Sequence, residues 1–60
     1  MIIYTKDVQR ITGKSDRYGR KILKNIRTFY AKQKHQPISL GEFCAYMGLK
    51  EEEVSKYLSE

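Results

Sequence analysis

Between Ser15 and Tyr30 the chain reads SDRYGRKILKNIRTFY, with apolar residues returning at intervals of three and four. At about 100° per residue, Ser15, Tyr18, Gly19, Ile22, Leu23, Ile26, Phe29 and Tyr30 share one arc, while Arg17, Arg20, Lys21, Lys24 and Arg27 fall opposite. The spacing predicts a long helix continuing to about Ala31 or Lys34. One of its faces needs a core, and the other carries positive charge.

Before it, Met1 to Tyr4 (MIIY) is a short β-prone run, read as an extended strand or as an apolar lid carrying Ile2 and Ile3. Thr5 fits an N-cap for a helix over Lys6 to Thr12, with Asp7 early where it suits the positive end of the helix dipole. Val8 and Ile11 point inward, and Gln9 and Arg10 outward. Gly13 stops this helix and Ser15 caps the next. Gly19 costs about 1 kcal/mol inside a helix relative to Ala. Its place on the apolar arc predicts close approach of the first helix there.

Lys32 to Pro37 (KQKHQP) is the polar connector, with Pro37 forbidding a helix through it. Ser39 and Glu42 then form S-x-x-E ahead of an apolar run, the signature of a capping box. A third helix is predicted over Leu40 to Met47, with Leu40, Phe43, Cys44 and Met47 on one face, and Gly48 ends it. A fourth runs from Lys50 to about Ser59, its first turn carrying Glu51, Glu52 and Glu53, its inner positions Val54, Tyr57 and Leu58. The expected architecture is all-α: one domain over 1–60 with four packed helices, Met1 to Tyr4 adding either a short N-terminal strand or an apolar lid. Its halves are basic (5–34) and acidic (38–60).

Composition adds two constraints. At 60 residues and 40% hydrophobic, with seven aromatics, the chain is too apolar for a disordered tail but buries only about 60% of its unfolded surface. One Cys (Cys44) and one His (His35) allow neither an intramolecular disulfide nor a four-ligand zinc site, so packing alone stabilises the fold. Cys44 reads as a small core residue and His35 as a solvated connector residue. The start MIIYTKD has no basic region followed by a long apolar run, so neither signal peptide nor membrane span is predicted, and the expected location is cytoplasmic.

Charge changes the picture more. Residues 1–35 hold ten Lys/Arg against two Asp/Glu, and residues 36–60 hold two against five, within a net of +5. Five like charges on one arc of one helix repel each other, and a polyanion that neutralises them accounts for the pattern better than a merely solvated face.

The halves also echo each other at an offset of 35: Asp7 with Glu42, Val8 with Phe43, Ile11 with Tyr46, Gly13 with Gly48, Asp16 with Glu51, Leu23 with Leu58. The caps Thr5 and Ser39 are out of step by one. ISLGEFCAYMGLKEEEVSKYL, with Phe43, Cys44, Gly48 at the turn, Leu49, Val54 and Tyr57, resembles the general helix-turn-helix pattern. YTKDVQRITGKSDRYGRKIL resembles the opening of excisionase-like and MerR-like DNA-binding domains, with their T-x-x-V segment and Gly-x-Ser turn. Together these cover nearly the whole chain and imply a small helix-turn-helix DNA-binding protein of bacterial mobile elements, a transcriptional regulator or an excisionase-like accessory factor. Gln9, Lys14 and Gly19 depart from the pattern in the first unit. In the second, the three glutamates would repel phosphates.

The candidate DNA contacts are therefore Lys14, Ser15, Arg17, Arg20, Lys21, Lys24 and Arg27, with Arg17 or Arg20 best placed to read a guanine. Double-stranded DNA is the expected partner. RNA is a variant in which Tyr18 or Tyr30 stacks on an unpaired base. The alternative class is a protein-interaction module, docking on a larger partner or forming a homodimer through the acidic half. No phosphate-cradling Gly-rich loop, H-E-x-x-H or Ser/His/Asp set is present, so no enzymatic activity, cofactor, metal or small-molecule substrate is expected, and neither is a membrane partner.

Overall fold

A computed structural model of the protein describes residues 1–58. Along the chain lie β1 (Ile2–Ile3), α1 (Thr5–Thr12), α2 (Asp16–Phe29), β2 (Ile38–Ser39), α3 (Leu40–Met47) and α4 (Glu51–Leu58). The four expected helices are present and the domain is mostly helical, and the N-terminal strand finds a partner in a two-stranded antiparallel sheet, in which Ile2 faces Ser39 and Ile3 faces Ile38. The strand at the start of the chain had a sequence signal. Its partner did not, because Ile38 is a lone apolar residue between Pro37 and a helix cap.

Local chemistry sets the helix ends. In α1 the cap sits at Tyr4, one residue earlier than the expected Thr5, which is the first helical residue. Pairing of β1 holds Tyr4 extended (φ −113°, ψ 170°), and Asp7 reaches back to accept from its N–H at 2.8 Å. Gly13 (φ 70°) and Gly48 (φ 72°) close α1 and α3 in the left-handed conformation that glycine adopts without steric cost. For α3 the predicted capping box is present in both directions: Ser39 Oγ accepts from the Glu42 N–H at 3.0 Å, and Glu42 accepts from the Ser39 N–H at 2.9 Å.

α2 stops at Phe29, short of the predicted Ala31 or Lys34. Ala31 turns left-handed at φ 53°. Its N–H donates to Thr28 O at 3.1 Å while the Lys32 N–H donates to Arg27 O at 2.8 Å. This paired closure satisfies the last carbonyls and turns the chain back, a termination with no glycine or proline to announce it. The predicted end of α4 at Ser59 lies outside the described residues.

The two helix pairs share one core of Ile3, Val8, Leu23, Ile26, Ile38, Leu40, Phe43, Cys44 and Val54. Within it α1 packs on α2 and α4, α2 packs on α3, and the sheet covers α2 and α3. Gly19 has the predicted role: a Cβ there would lie 3.0 Å from Thr5 Cγ2 and 3.2 Å from Thr5 O, so α1 could not approach as closely. Cys44 is buried, which pushes its thiol pKa up, with the Glu51 carboxylate adding to the effect. No helix among the described residues is long and apolar enough to cross a membrane.

Three positions placed on apolar arcs by periodicity are exposed. Ser15 is an exposed cap. Phe29 is 67% and Tyr57 is 58% exposed. Phe29 is the last helical residue of α2 and Tyr57 the penultimate described residue of α4, and each leaves most of its ring open at a helix end.

The connector is ordered by its own polar groups. Lys32 Nζ donates to Glu42 at 2.8 Å and to Pro37 O at 2.9 Å. Gln36 accepts through Oε1 from the Gln33 N–H at 2.6 Å. The Lys32 hydrogen bond, followed by that of the Ser39 N–H, holds the Glu42 carboxyl below the ordinary carboxylate range.

Two outcomes are expected. Ala31→Gly relieves a left-handed alanine and should stabilise the fold by about 0.5–1 kcal/mol, read as a higher urea midpoint. Because the folded Glu42 pKa is lowered, its contribution is complete above the ordinary carboxylate value and disappears as pH falls through the lowered one. Urea titrations across that acid range should show stability declining, and Glu42→Gln should flatten the decline.

Candidate nucleic-acid interface

Burial of Gly19, Leu23 and Ile26 fixes the rotation of α2 about its axis. Opposite them, on one outer arc, stand Arg17, Lys21, Lys24 and Thr28, all exposed. Among the described residues Arg17, Lys21 and Lys24 have no acidic partner, so their charge is directed at solvent. Asn25 is exposed beside Lys21 on the same helix. At 1.5 Å per residue, Arg17 and Lys24 lie about 10 Å apart along the axis.

The remaining expected contacts are differently occupied. Arg20 Nε pairs with Asp16 at 2.8 Å, both side chains largely exposed. Such a surface pair is worth little. Arg27 is half-buried and its Nε donates to Gln36 O at 3.3 Å, so it anchors the connector. Lys14 lies in the turn before α2 with its ammonium 5.7 Å from the Tyr18 ring centroid. Ser15 Oγ accepts from the Tyr18 N–H at 3.2 Å and caps α2. The structure therefore gathers Arg17, Lys21 and Lys24 into one open stripe, with Arg20 on its flank. Arg27 is turned to the connector, and Lys14 and Ser15 stand at the helix start.

Lys34 comes from tertiary folding. The connector folds back beside α2, and Lys24, Arg27, Thr28, Lys32 and Lys34 line a basic depression of about 550 Å³. Periodicity could have added Asn25 and Thr28, which follow Lys21 and Lys24 by four residues. Nothing in the sequence placed Lys34 beside them. Among the described residues no group of three or more His, Cys, Asp or Glu is arranged to hold a metal ion.

Comparison with protein-family models, with curated proteins and with solved structures finds no match to this chain. The functional reading rests on the arrangement of its own residues.

The stripe depends on α2 starting at its cap. Ser15→Ala should lower stability by about 1 kcal/mol, and Ser15→Asp, which restores an acceptor, should recover most of it in the same urea titration.

Proposed function

We propose that this chain is a DNA-binding domain of helix-turn-helix type, in which the basic face of α2 contacts the duplex backbone. What carries the reading is the stripe of Arg17, Lys21 and Lys24, exposed on one arc of a helix whose other face is held in the core, with none of the three in an ion pair among the described residues. Phosphates are the partners that relieve this repulsion, and release of their counterions drives association. Arg20 and Lys34 extend the footprint. Arg17 and Asn25 are placed to read base edges, arginine pairing with guanine and asparagine with adenine. The resemblance to excisionase-like and MerR-like domains points to transcriptional regulation or an accessory role in recombination.

A protein-interaction module is the competing reading and draws on another surface. Ile11, Met47, Leu49, Val54 and Tyr57 line a groove between α1, α3 and α4, with Glu53 and Lys56 at its rim. Light scattering with and without duplex separates the two: a dimer that never binds duplex favours the module.

The direct test is duplex binding by fluorescence anisotropy across a salt series. Each phosphate neutralised contributes about 0.9 to the slope of log K against log salt, so Lys24→Ala should flatten it by roughly 1. Lys56→Ala, on the groove side, should leave it unchanged. A Lys24→Ala slope equal to that of the parent protein would rule out this face.

A further inference from the structure

Phe29 is 67% exposed at the end of the helix that carries the basic stripe. It is not a loose side chain: its ring stands edge-to-face with Tyr30 at 5.0 Å between centroids and with Tyr46 at 5.3 Å. Tyr46, on α3, is itself 37% exposed, and Tyr30 is tied to the same helix through its hydroxyl, which donates to Glu42 O at 3.4 Å. α2 and α3 thus hold an exposed aromatic platform in fixed geometry. Asn25 lies one turn before Phe29 and about 40° around the helix, and Lys21 lies one turn before that.

Two features choose the occupant. The platform is small: burying an aromatic side chain completely covers about 150–250 Å², whereas each side of a stable protein interface covers about 800 Å². Two partly exposed rings on a molecule with 4511 Å² of surface fall well short of that. The charge around the platform also opposes a second copy. A two-fold contact through Phe29 would bring one α2 with its open cations against another, and like-charge juxtaposition costs several kcal/mol. A flat apolar group carried on a polyanion suits both the size and the charge.

We propose that Phe29, flanked by Tyr46, is a stacking position for an unpaired nucleobase whose phosphates lie along Lys21 and Lys24. This deepens the nucleic-acid reading above and rests on it. The protein then prefers a duplex with a single-stranded extension or an opened step over a flush duplex, with Phe29 supplying the preference and the cation stripe supplying the shared affinity. Aromatic stacking is tolerant of base identity, so the preference is for unpaired structure and not for a sequence.

The test compares a labelled flush duplex with the same duplex carrying a short oligothymidine overhang, by anisotropy at fixed salt. The parent protein should bind the overhang more tightly. Phe29→Ala should remove that preference, weakening overhang binding roughly 5- to 100-fold while leaving flush-duplex binding unchanged. Phe29→Trp should retain it. Phe29→Leu, which keeps an apolar side chain without a π-face, should behave like the alanine variant and guards against an effect of lost packing, with circular dichroism confirming the fold of each. Equal binding of both probes by the parent protein, or a preference untouched in Phe29→Ala, overturns the stacking proposal and leaves duplex binding standing. A fall from dimer to monomer mass in Phe29→Ala assigns the platform to a second copy. Failure of the parent protein to bind either probe at low salt overturns the nucleic-acid reading and the stacking position with it.

Discussion

Pairing of Ile2–Ile3 with Ile38–Ser39 joins the beginning of the chain to the segment between its two helix pairs. In a chain this short, with helices of eight, fourteen, eight and eight residues, buried surface is scarce and each further buried side chain matters. The sheet carries Ile3 and Ile38, among the most buried side chains of the protein, onto α2 and α3. It also continues into the cap of α3, since the Leu40 N–H donates to Met1 O at 2.8 Å. The same pairing holds Tyr4 extended, and that extended residue starts α1. Strand, cap and core are therefore one cooperative unit, and the orientation of α2 depends on it.

That dependence links folding to the candidate interface. Leu23 and Ile26 are held in the core and Gly19 lies against Thr5, so α2 has no freedom to rotate, and Arg17, Lys21 and Lys24 are held outward. Closure at Ala31 then reverses the chain and brings Lys34 back toward Lys24 and Thr28. Lys32 belongs to the fold and not to the open charge, because its ammonium is engaged by Glu42 and Pro37. The net charge of +5 understates the field at the stripe, since the glutamates of α4 lie on a helix packed against α1 and α3.

Aromatic residues divide by the same logic. Phe43 is wholly buried and Tyr18 and Tyr30 are half-buried at the edge of the core, whereas Phe29 and Tyr57 stand at helix ends beyond it. Helical spacing assigns a residue to an arc and says nothing about how far along the axis the neighbouring element extends. Ser15 and Phe29 share the arc of Leu23 and Ile26 but lie at its two ends, where Ser15 is an exposed cap and Phe29 touches the Tyr46 ring of α3 with most of its surface still open.

Read alone, the sequence contained the four helices, the Gly13 and Gly48 stops, the Ser39–Glu42 capping box, the burial of Cys44, the close approach at Gly19 and the cationic arc of α2. All of these follow from contacts within about one helical turn or from the period of one helix, so each signal is local. The partner of β1, the cap at Tyr4, the end of α2 at Phe29 and the exposure of Phe29 and Tyr57 were decided by tertiary structure. A two-residue strand has no periodicity, a left-handed alanine has no compositional mark, and burial at a helix end depends on where a distant element stops. The basic stripe was legible because its spacing is that of a single helix. The depression completed by Lys34 and the ring platform of Phe29 and Tyr46 were not, because each joins residues that only the folded chain brings together.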